Sequence, residues 1–163
     1  EMFPLLDRTF AKFGVQIVHE DGWSRCVVDG PLKVKEPFTR NILQKVEAAP
    51  WPYVPVDLLP IFVALGVKAE DGAMGWTSEL AKFGGHAFLS DPHRMITFGG
   101  KPLSPAEVES PYIIRVAIAL LMVAASVSGK SVIRNATPIR RAHPNFVEHI
   151  CELGARIEWV EGD

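Results

Sequence analysis

The chain has 163 residues, of which 48% are hydrophobic and 22% are charged, a composition typical of one folded globular domain and not of a disordered protein. Its formal net charge of −2 gives no reason to expect binding to nucleic acids or other polyanions, although 17 Lys and Arg residues remain available for a local basic pocket. Two cysteines far apart in sequence, and an N-terminal stretch without the pattern of a secretory signal, favour reduced thiols and a cytoplasmic location.

The first predicted unit is a helix that stops at a glycine and is followed by a hairpin. In "TFAKFGVQIV" (9–18), Gly14 suits the left-handed position that ends a helix. The apolar alternation after it predicts a half-buried strand. The turn residues "EDGW" (20–23) then lead into a second alternating segment, "SRCVVDG", which predicts a β-hairpin.

A proline-rich stretch, "WPYVPVDLLP" (51–60), precedes an apolar helix predicted from Leu58 to Leu65 and closed by Gly66. Asp57 stands directly before this helix, where its carboxylate can cap the free N–H groups of the first turn. The alternative is that Asp57 acts in catalysis or ligand binding. The residues alone leave both interpretations open.

The helix–glycine–strand unit recurs twice in the chain. One copy is "LAKFGGHAF" (80–88), which continues through "SDPHR" into a second predicted strand, "MITFGG". The other copy is "ICELGARIEW" (150–159), in which a strand is predicted after the glycine and the sequence then ends. The three glycines that end the repeated helices are Gly14, Gly84 and Gly154.

A second strongly apolar helix is predicted from Tyr112 to about Val127, closed by Gly129. It is shorter than a membrane span and carries Arg115, so we interpret it as a buried helix. Both burial and the positive end of the helix dipole disfavour a cation in its first turn. A residue placed there despite both costs is often one that meets an anion; the alternative is a salt bridge with Glu109 or another acid.

Two further arginines, Arg140 and Arg141, precede the predicted helix "PNFVEHICELG" and follow a predicted strand, "SVIRNA" (131–136). Several arginines near helix starts on one side of a domain can form a bidentate anion site.

Other motifs in the chain predict no cofactor or metal. "SGKS" (128–131) has Ala124 where a phosphate-binding loop requires glycine, and it follows a helix where that loop should precede one. The histidines show no i, i+4 pair and no cysteine partner that would indicate zinc.

The order of these elements predicts an α/β (α+β) fold with the helices inside. Helices that are apolar on all sides cannot lie on the outside of a sheet, so they must form the centre, with the strands wrapped around them. We predict a single domain over residues 1–163 with repeat units at approximately 1–50, 51–105 and 106–163.

Three segments resemble the UDP-N-acetylglucosamine enolpyruvyl transferases. "PWPYVPVDLLPIFVALGVKAE" is similar to that family's Pro-x-Pro-x-x-Pro-Thr-Asp segment with its apolar helix and Ala-Glu-Gly. "LSDPHRMITFGGKPLSPAEVESPYIIRVAIALLMVAA" is similar to its hairpin, its Leu-x-Gly-x-x-Val strand and its Asp-Ile-Arg-Ala helix start. "IRRAHPNFVEHICELGARIE" is similar to its Asp-Arg-Gly-Tyr helix, which ends in Leu-Gly-Ala. The resemblance covers essentially the whole chain, in order.

The resemblance implies one domain of a two-domain enzyme whose second domain is absent from this chain. It implies an inside-out α/β barrel of three βαβαββ-like repeats, with buried helices and outer sheets. The implied reaction moves the enolpyruvyl group of phosphoenolpyruvate onto the 3-hydroxyl of UDP-N-acetylglucosamine, a cytoplasmic step of peptidoglycan synthesis that uses neither nucleic acid nor membrane. Asp57 matches the proposed general base, and Arg115 and Arg141 match arginines that face the donor's phosphate and carboxylate.

Departures from the family pattern keep other hypotheses open. Ile113 replaces the aspartate of Asp-Ile-Arg, and the residues from Arg140 to His143 replace Asp-Arg-Gly-Tyr. A loop with a sugar-nucleotide contact and an arginine is missing at "DGAMG" (71–75). The domain alone is therefore expected to be inactive. The alternatives are a non-catalytic relative that serves in ligand binding or assembly, and the shikimate-3-phosphate branch of the family.

Overall fold

The computed structural model describes residues 3–36, 44–68, 78–91 and 94–160, and it has a mixed α/β architecture. The helices described are α1 (Pro4–Ala11), α2 (Leu59–Lys68), α3 (Ser78–Lys82), α4 (Ile114–Ala125), α5 (Thr137–Ala142) and α6 (Phe146–Glu152). The strands described are β1 (Val15–Glu20), β2 (Trp23–Val28), β3 (His86–Asp91), β4 (Arg94–Phe98), β5 (Glu107–Glu109) and β6 (Val132–Arg134). They form three two-stranded sheets.

Both predicted hairpins are confirmed. β1 pairs with β2 and β3 pairs with β4, each antiparallel, and each hairpin follows a short helix. Gly14 and Gly84 have φ angles of 78° and 87°, the left-handed conformation that lets the chain leave the helix and start the strand. The helix–glycine–hairpin unit therefore occurs twice in the described part of the chain.

The third copy of this unit lacks its predicted strand. Gly154 follows α6 with a φ of 102°, but residues 155–160 form no strand. The alternation of apolar residues makes this segment suitable for a sheet, but a strand also needs a hydrogen-bonding neighbour. No described segment pairs with it, so the prediction of a strand after Gly154 is wrong for these residues.

Helices α2 and α4 form the centre of the structure, as their apolar composition predicts. Val63 and Ala64 of α2 are buried in one cluster with residues of α4, and Leu80 of α3 and Phe83, directly after α3, also belong to it. The α4 members of this cluster are Val116, Ala119, Leu120 and Val123. Each large side chain buried in this way contributes about 1.5–3 kcal/mol.

Each central helix is also covered on a second face. Phe62 of α2 packs against Phe13 and Val15 of the first hairpin unit. Ala117 and Leu121 of α4 pack against Ile139 of α5, a short helix that the sequence pattern did not predict. Contacts on two faces explain why neither helix shows the polar stripe of a surface helix.

The helix boundaries correct two predictions. Helix α2 runs through Gly66 to Lys68, so Gly66 does not close it. Helix α4 spans Ile114–Ala125 and ends at Ser126, so Gly129 is not its stop.

Strands β5 and β6 form a parallel pair beside α4. Val108 pairs with Ile133 and is 1% exposed, so the pair contributes to the same core as α2 and α4. The predicted strand at 131–136 is confirmed as the shorter β6. β5 lies in the segment for which the resemblance implied a Leu-x-Gly-x-x-Val strand, although the local pattern alone did not predict it.

Glu79 of α3 connects this parallel pair to the rest of the structure. Its Oε2 accepts hydrogen bonds from Lys82 Nζ (2.7 Å) and from the backbone N–H of Glu109 (2.8 Å). Burial acts to raise the pKa of Glu79, but these two hydrogen bonds and the charge of Lys82 outweigh it, so the pKa lies below its usual value.

The shortened "DGAMG" segment at 71–75 lies outside the described residues. No helix among the described residues is long and apolar enough to cross a membrane.

Candidate functional site

Asp57 lies in a 3-10 turn, Val56–Leu58, that joins the proline-rich segment to α2. The segment before it is held by hydrogen bonds from Ala49 N to Val54 O (2.9 Å) and from Tyr53 N to Pro50 O (3.1 Å). Pro55 precedes the turn with a φ of −59°, and its carbonyl accepts from Leu58 N at 3.0 Å. The prolines and these bonds fix the backbone from which the Asp57 carboxylate projects.

The carboxylate of Asp57 does not cap the turn. No side-chain capping bond is present at the start of the turn, and Asp57 Oδ1 instead lies 2.7 Å from Nε of Arg115. The interpretation of Asp57 as a helix cap is therefore wrong. Of the two interpretations left open, a role in binding or chemistry remains a prediction.

Arg115 is the second residue of α4, and its contact with Asp57 joins the starts of the two central helices. The pairing follows from the packing of α2 on α4, which places the N-terminal ends of both helices on one side of the core. The alternative partner considered for Arg115, Glu109, instead accepts a hydrogen bond from Asn135 Nδ2 at 2.9 Å. Two of the three predicted site residues are thus in direct contact.

Both members of the pair are open to solvent. The side chains of Arg115 and Asp57 are 51% and 56% exposed. The cost of burying a cation, expected from the place of Arg115 on an apolar helix, is therefore small, because the side chain points away from the core that α4 forms. An exposed Asp–Arg pair contributes at most about 1 kcal/mol to stability, so structure alone does not require it.

Arg141, the third predicted residue, lies in the last turn of α5 and not at a helix start as expected. A cation at this end of a helix is favoured by the helix dipole. Its Nη1 donates to the hydroxyl oxygen of Tyr112 at 3.3 Å, and its guanidinium carbon lies 5.2 Å from the centroid of the Tyr112 ring. Since Tyr112 is three residues before Arg115, the segment that begins α4 carries Arg115 and contacts Arg141.

Exposed apolar side chains flank this charged group, and sequence reasoning missed them. Trp51, Tyr53 and Val56 are 57%, 57% and 65% exposed beside Asp57 in the chain, and Tyr112 and Ile113 are 65% and 47% exposed beside Arg115. An exposed apolar patch often indicates a binding surface, and these residues are candidates for one. The sequence feature that could have predicted this exposure is the position of these residues directly before the two apolar helices.

Ile113 shows what the departure from the family motif changes locally. It is the N-cap residue of α4, with φ −126° and ψ 116°, and it makes no side-chain hydrogen bond to the helix. A short polar side chain is strongly preferred at this position. The change from aspartate to isoleucine therefore removes a capping group as well as a charge.

A second polar cluster lies on the first hairpin unit. His19 is hydrogen-bonded through Nε2 to Asp7 Oδ2 (2.9 Å) and through Nδ1 to Ser24 Oγ (2.8 Å). These contacts tie α1 to both strands of its hairpin. In the described part of the chain no group of three or more His, Cys, Asp or Glu residues is arranged to hold a metal ion.

Comparison with known sequences identifies relatives of the whole chain. It is 28% identical, over an alignment of 169 positions that covers 98% of the chain, to UDP-N-acetylglucosamine 1-carboxyvinyltransferase from Borrelia garinii subsp. bavariensis. The enzyme of that name from Bradyrhizobium diazoefficiens is 32% identical over 139 positions, 79% of the chain. The alignments cover 39% and 32% of these relatives, so the chain spans about two fifths of their length or less. No protein-family model matches the chain.

Solved structures have the same fold. The enolpyruvyl transferase NikO from Streptomyces tendae superposes on 96% of the chain with a TM-score of 0.73 and 20% identity, and the matched part is 36% of that chain. An EPSP synthase from Acinetobacter baumannii superposes on 65% of the chain with a TM-score of 0.55, also at 20% identity, matching 28% of that chain.

Proposed function

Because the chain belongs to the enolpyruvyl transferase family, we propose that it is one domain of an enzyme that transfers the enolpyruvyl group of phosphoenolpyruvate to the 3-hydroxyl of UDP-N-acetylglucosamine. In this proposal the enzyme works in the cytoplasm in peptidoglycan synthesis. A second domain closes the site, and the chain is inactive alone. Its core helices lie inside an inside-out α/β barrel of three repeats.

The observation that carries the proposal is the contact between Asp57 and Arg115. Asp57 and Arg115 are far apart in the sequence, yet their side chains meet at 2.7 Å on the solvent side of two core helices. The reaction needs a proton acceptor for an alcohol and fixed cations for a polyanionic donor. The contact places one candidate of each kind together.

In the proposed reaction Asp57 accepts the proton of the sugar hydroxyl as the hydroxyl oxygen bonds to the phosphate-bearing carbon of phosphoenolpyruvate, while the methylene carbon takes up a proton from water. The methylene carbon then loses that proton, the double bond re-forms and the bond between the substituted carbon and the phosphate oxygen breaks. Phosphate leaves, and the proton held by Asp57 is released with it. Arg115 and Arg141 bind the phosphate and carboxylate of the donor. When Arg115 turns from Asp57 to the donor, the Asp57 carboxylate is left without its cation and can accept a proton.

The test is Asp57→Asn in the full-length product of the gene, with phosphate release from phosphoenolpyruvate and UDP-N-acetylglucosamine as the readout. We expect a loss of at least about 100-fold in turnover, because general base catalysis contributes about 10²–10⁴-fold. The free energy of unfolding should change by less than about 1 kcal/mol, since the pair is half exposed. Full activity in Asp57→Asn would falsify the base assignment.

A second candidate function is that of a non-catalytic relative that binds ligand or serves in assembly. It is favoured by Ile113 at the helix start, and by Arg140 and His143, which stand where the family motif has aspartate and tyrosine. The shikimate-3-phosphate branch is a further possibility within the enzyme class, supported by the superposition on an EPSP synthase. We rank it lower because the matched sequences cited above carry the UDP-N-acetylglucosamine name.

A further inference from the structure

Arg141 and Tyr112 make two contacts with each other. Nη1 of Arg141 donates to the Tyr112 hydroxyl oxygen at 3.3 Å, and the guanidinium carbon lies 5.2 Å from the ring centroid. We propose that Tyr112 is a positioning residue, which orients the Arg141 guanidinium for an anionic group of the substrate without neutralising its charge. This inference rests on the proposed function and adds to it a residue that the family motif does not include.

The charge on Arg141 distinguishes it from the neighbouring arginine. Arg115 is paired with the Asp57 carboxylate at 2.7 Å. Within the described residues no carboxylate forms an ion pair with Arg141, and the partner it does have, Tyr112, is neutral. Of the two arginines, Arg141 therefore offers the full positive charge to an incoming anion.

The aromatic contact also leaves most hydrogen-bond donors free. A guanidinium has five N–H donors in a planar fork, and Tyr112 accepts from one of them. The remaining donors can bind a phosphate or carboxylate in the bidentate manner that favours arginine at such sites. Tyr112 is 65% exposed, so the stacked pair lies at the surface where a ligand can reach it.

Stacking lowers the cost of binding as well. A free arginine side chain loses considerable rotamer freedom when it is fixed by a ligand. The Tyr112 ring restricts the guanidinium before the anion arrives, so less freedom is lost on binding. Because Tyr112 and Arg115 lie in one short segment at the start of α4, that segment sets the positions of both cations.

The experiment uses the full-length product of the gene, titrated with inorganic phosphate and separately with phosphoenolpyruvate. Calorimetry gives the affinity, and the NMR signal of the Arg141 side-chain N–H reports the ring contact directly. Tyr112→Leu should weaken anion binding about two- to fivefold, the range expected for an exposed cation–π contact. It should also shift the Arg141 signal, because the ring current is lost.

Two variants at position 112 test the mechanism. Tyr112→Phe keeps the ring and should restore most of the affinity and the signal position. Tyr112→Glu should hold Arg141 more tightly and yet weaken anion binding more than Tyr112→Leu, because a carboxylate neutralises the cation. If residue 112 had only a structural role, Tyr112→Phe and Tyr112→Glu would not differ from Tyr112→Leu in these opposite directions.

Trp23→Leu is the matched control. Trp23 lies under Arg25 on β2, with the guanidinium carbon 6.0 Å from the ring, away from the proposed site. It should leave phosphate affinity unchanged.

The outcomes test the positioning role of Tyr112 and the proposed function separately. Wild-type phosphate affinity and an unmoved Arg141 signal in Tyr112→Leu overturn the positioning role, as does a wild-type protein that binds neither anion. If phosphate affinity depends on Tyr112 but no enolpyruvyl transfer occurs, the positioning role stands and the proposed function fails.

Discussion

At the scale of single residues, the pair of Asp57 and Arg115 is the clearest case of a site that sequence indicates only in part. Each residue was singled out by its place at the start of an apolar helix, a local property. That the two side chains meet depends on how α2 packs on α4, which no local pattern encodes. The Tyr112–Arg141 contact was missed for the same reason, since its partners lie on different elements.

Glu79 gives a pH-dependent prediction at this scale. Its lowered pKa means that the native state favours the ionised carboxylate, so its stabilising contribution is complete above the unfolded pKa of about 4.3. The contribution is lost as the pH falls through the lower folded pKa. We expect Glu79→Gln to reduce the free energy of unfolding at pH 7 by about 1 kcal/mol, and the difference to disappear in acid.

Urea unfolding of both proteins from pH 7 to pH 3 measures this difference. Glu47→Gln is the control, because Glu47 is 79% exposed and lies 3.9 Å from Lys45. A Glu79→Gln difference that persists unchanged at pH 3 would mean that packing, and not charge, explains the effect.

At the scale of elements, the helix–glycine–hairpin unit was predictable because each part of it is local. The glycines adopt positive φ, and the alternating residues after them pair with a segment only a few positions away. The local pattern predicted neither β5, for which only the resemblance implied a strand, nor α5, because they are three and six residues long. β5 also pairs with a strand more than 20 residues later, and so requires tertiary packing to form.

The start of α4 gives a prediction for an element. Ile113 occupies the N-cap with suitable extended backbone angles but has no group to accept from the helix N–H donors. Ile113→Asp should therefore raise the free energy of unfolding by about 1 kcal/mol. Thermal and urea unfolding measure it, and Ile113→Asn separates capping from charge. If Asp stabilises and Asn does not, the gain comes from the helix dipole or from Arg115 and not from the cap.

At the scale of the whole molecule, composition and the repeat pattern predicted a mixed α/β fold with apolar helices at its centre, and the structure agrees. The exception is the segment after Gly154, whose strand prediction assumed a partner that the described residues do not supply. A strand is defined by its neighbour, so a pattern within one segment cannot establish it.

A prediction for the whole molecule follows from the greater length of the relatives. The chain spans 39% of the Borrelia garinii relative, and the proposed reaction needs the remainder. Calorimetry of the full-length product with UDP-N-acetylglucosamine, followed by a turnover assay, should give both binding and phosphate release. Binding without release favours the non-catalytic relative, and absence of binding contradicts the UDP-sugar assignment altogether.

The contact between Asp57 and Arg115 has one more consequence. Asp57 precedes α2, and Arg115 lies in the first turn of α4. The distance between their side chains therefore depends on how the two helices pack against each other. Ala64 and Ala119 lie in the core cluster that these helices share, where an added methyl group would push the helices apart. A hydrogen bond tolerates only a few tenths of an ångström of such displacement. A core substitution at Ala64 or Ala119 is therefore expected to change the separation of these two exposed side chains even where the fold persists.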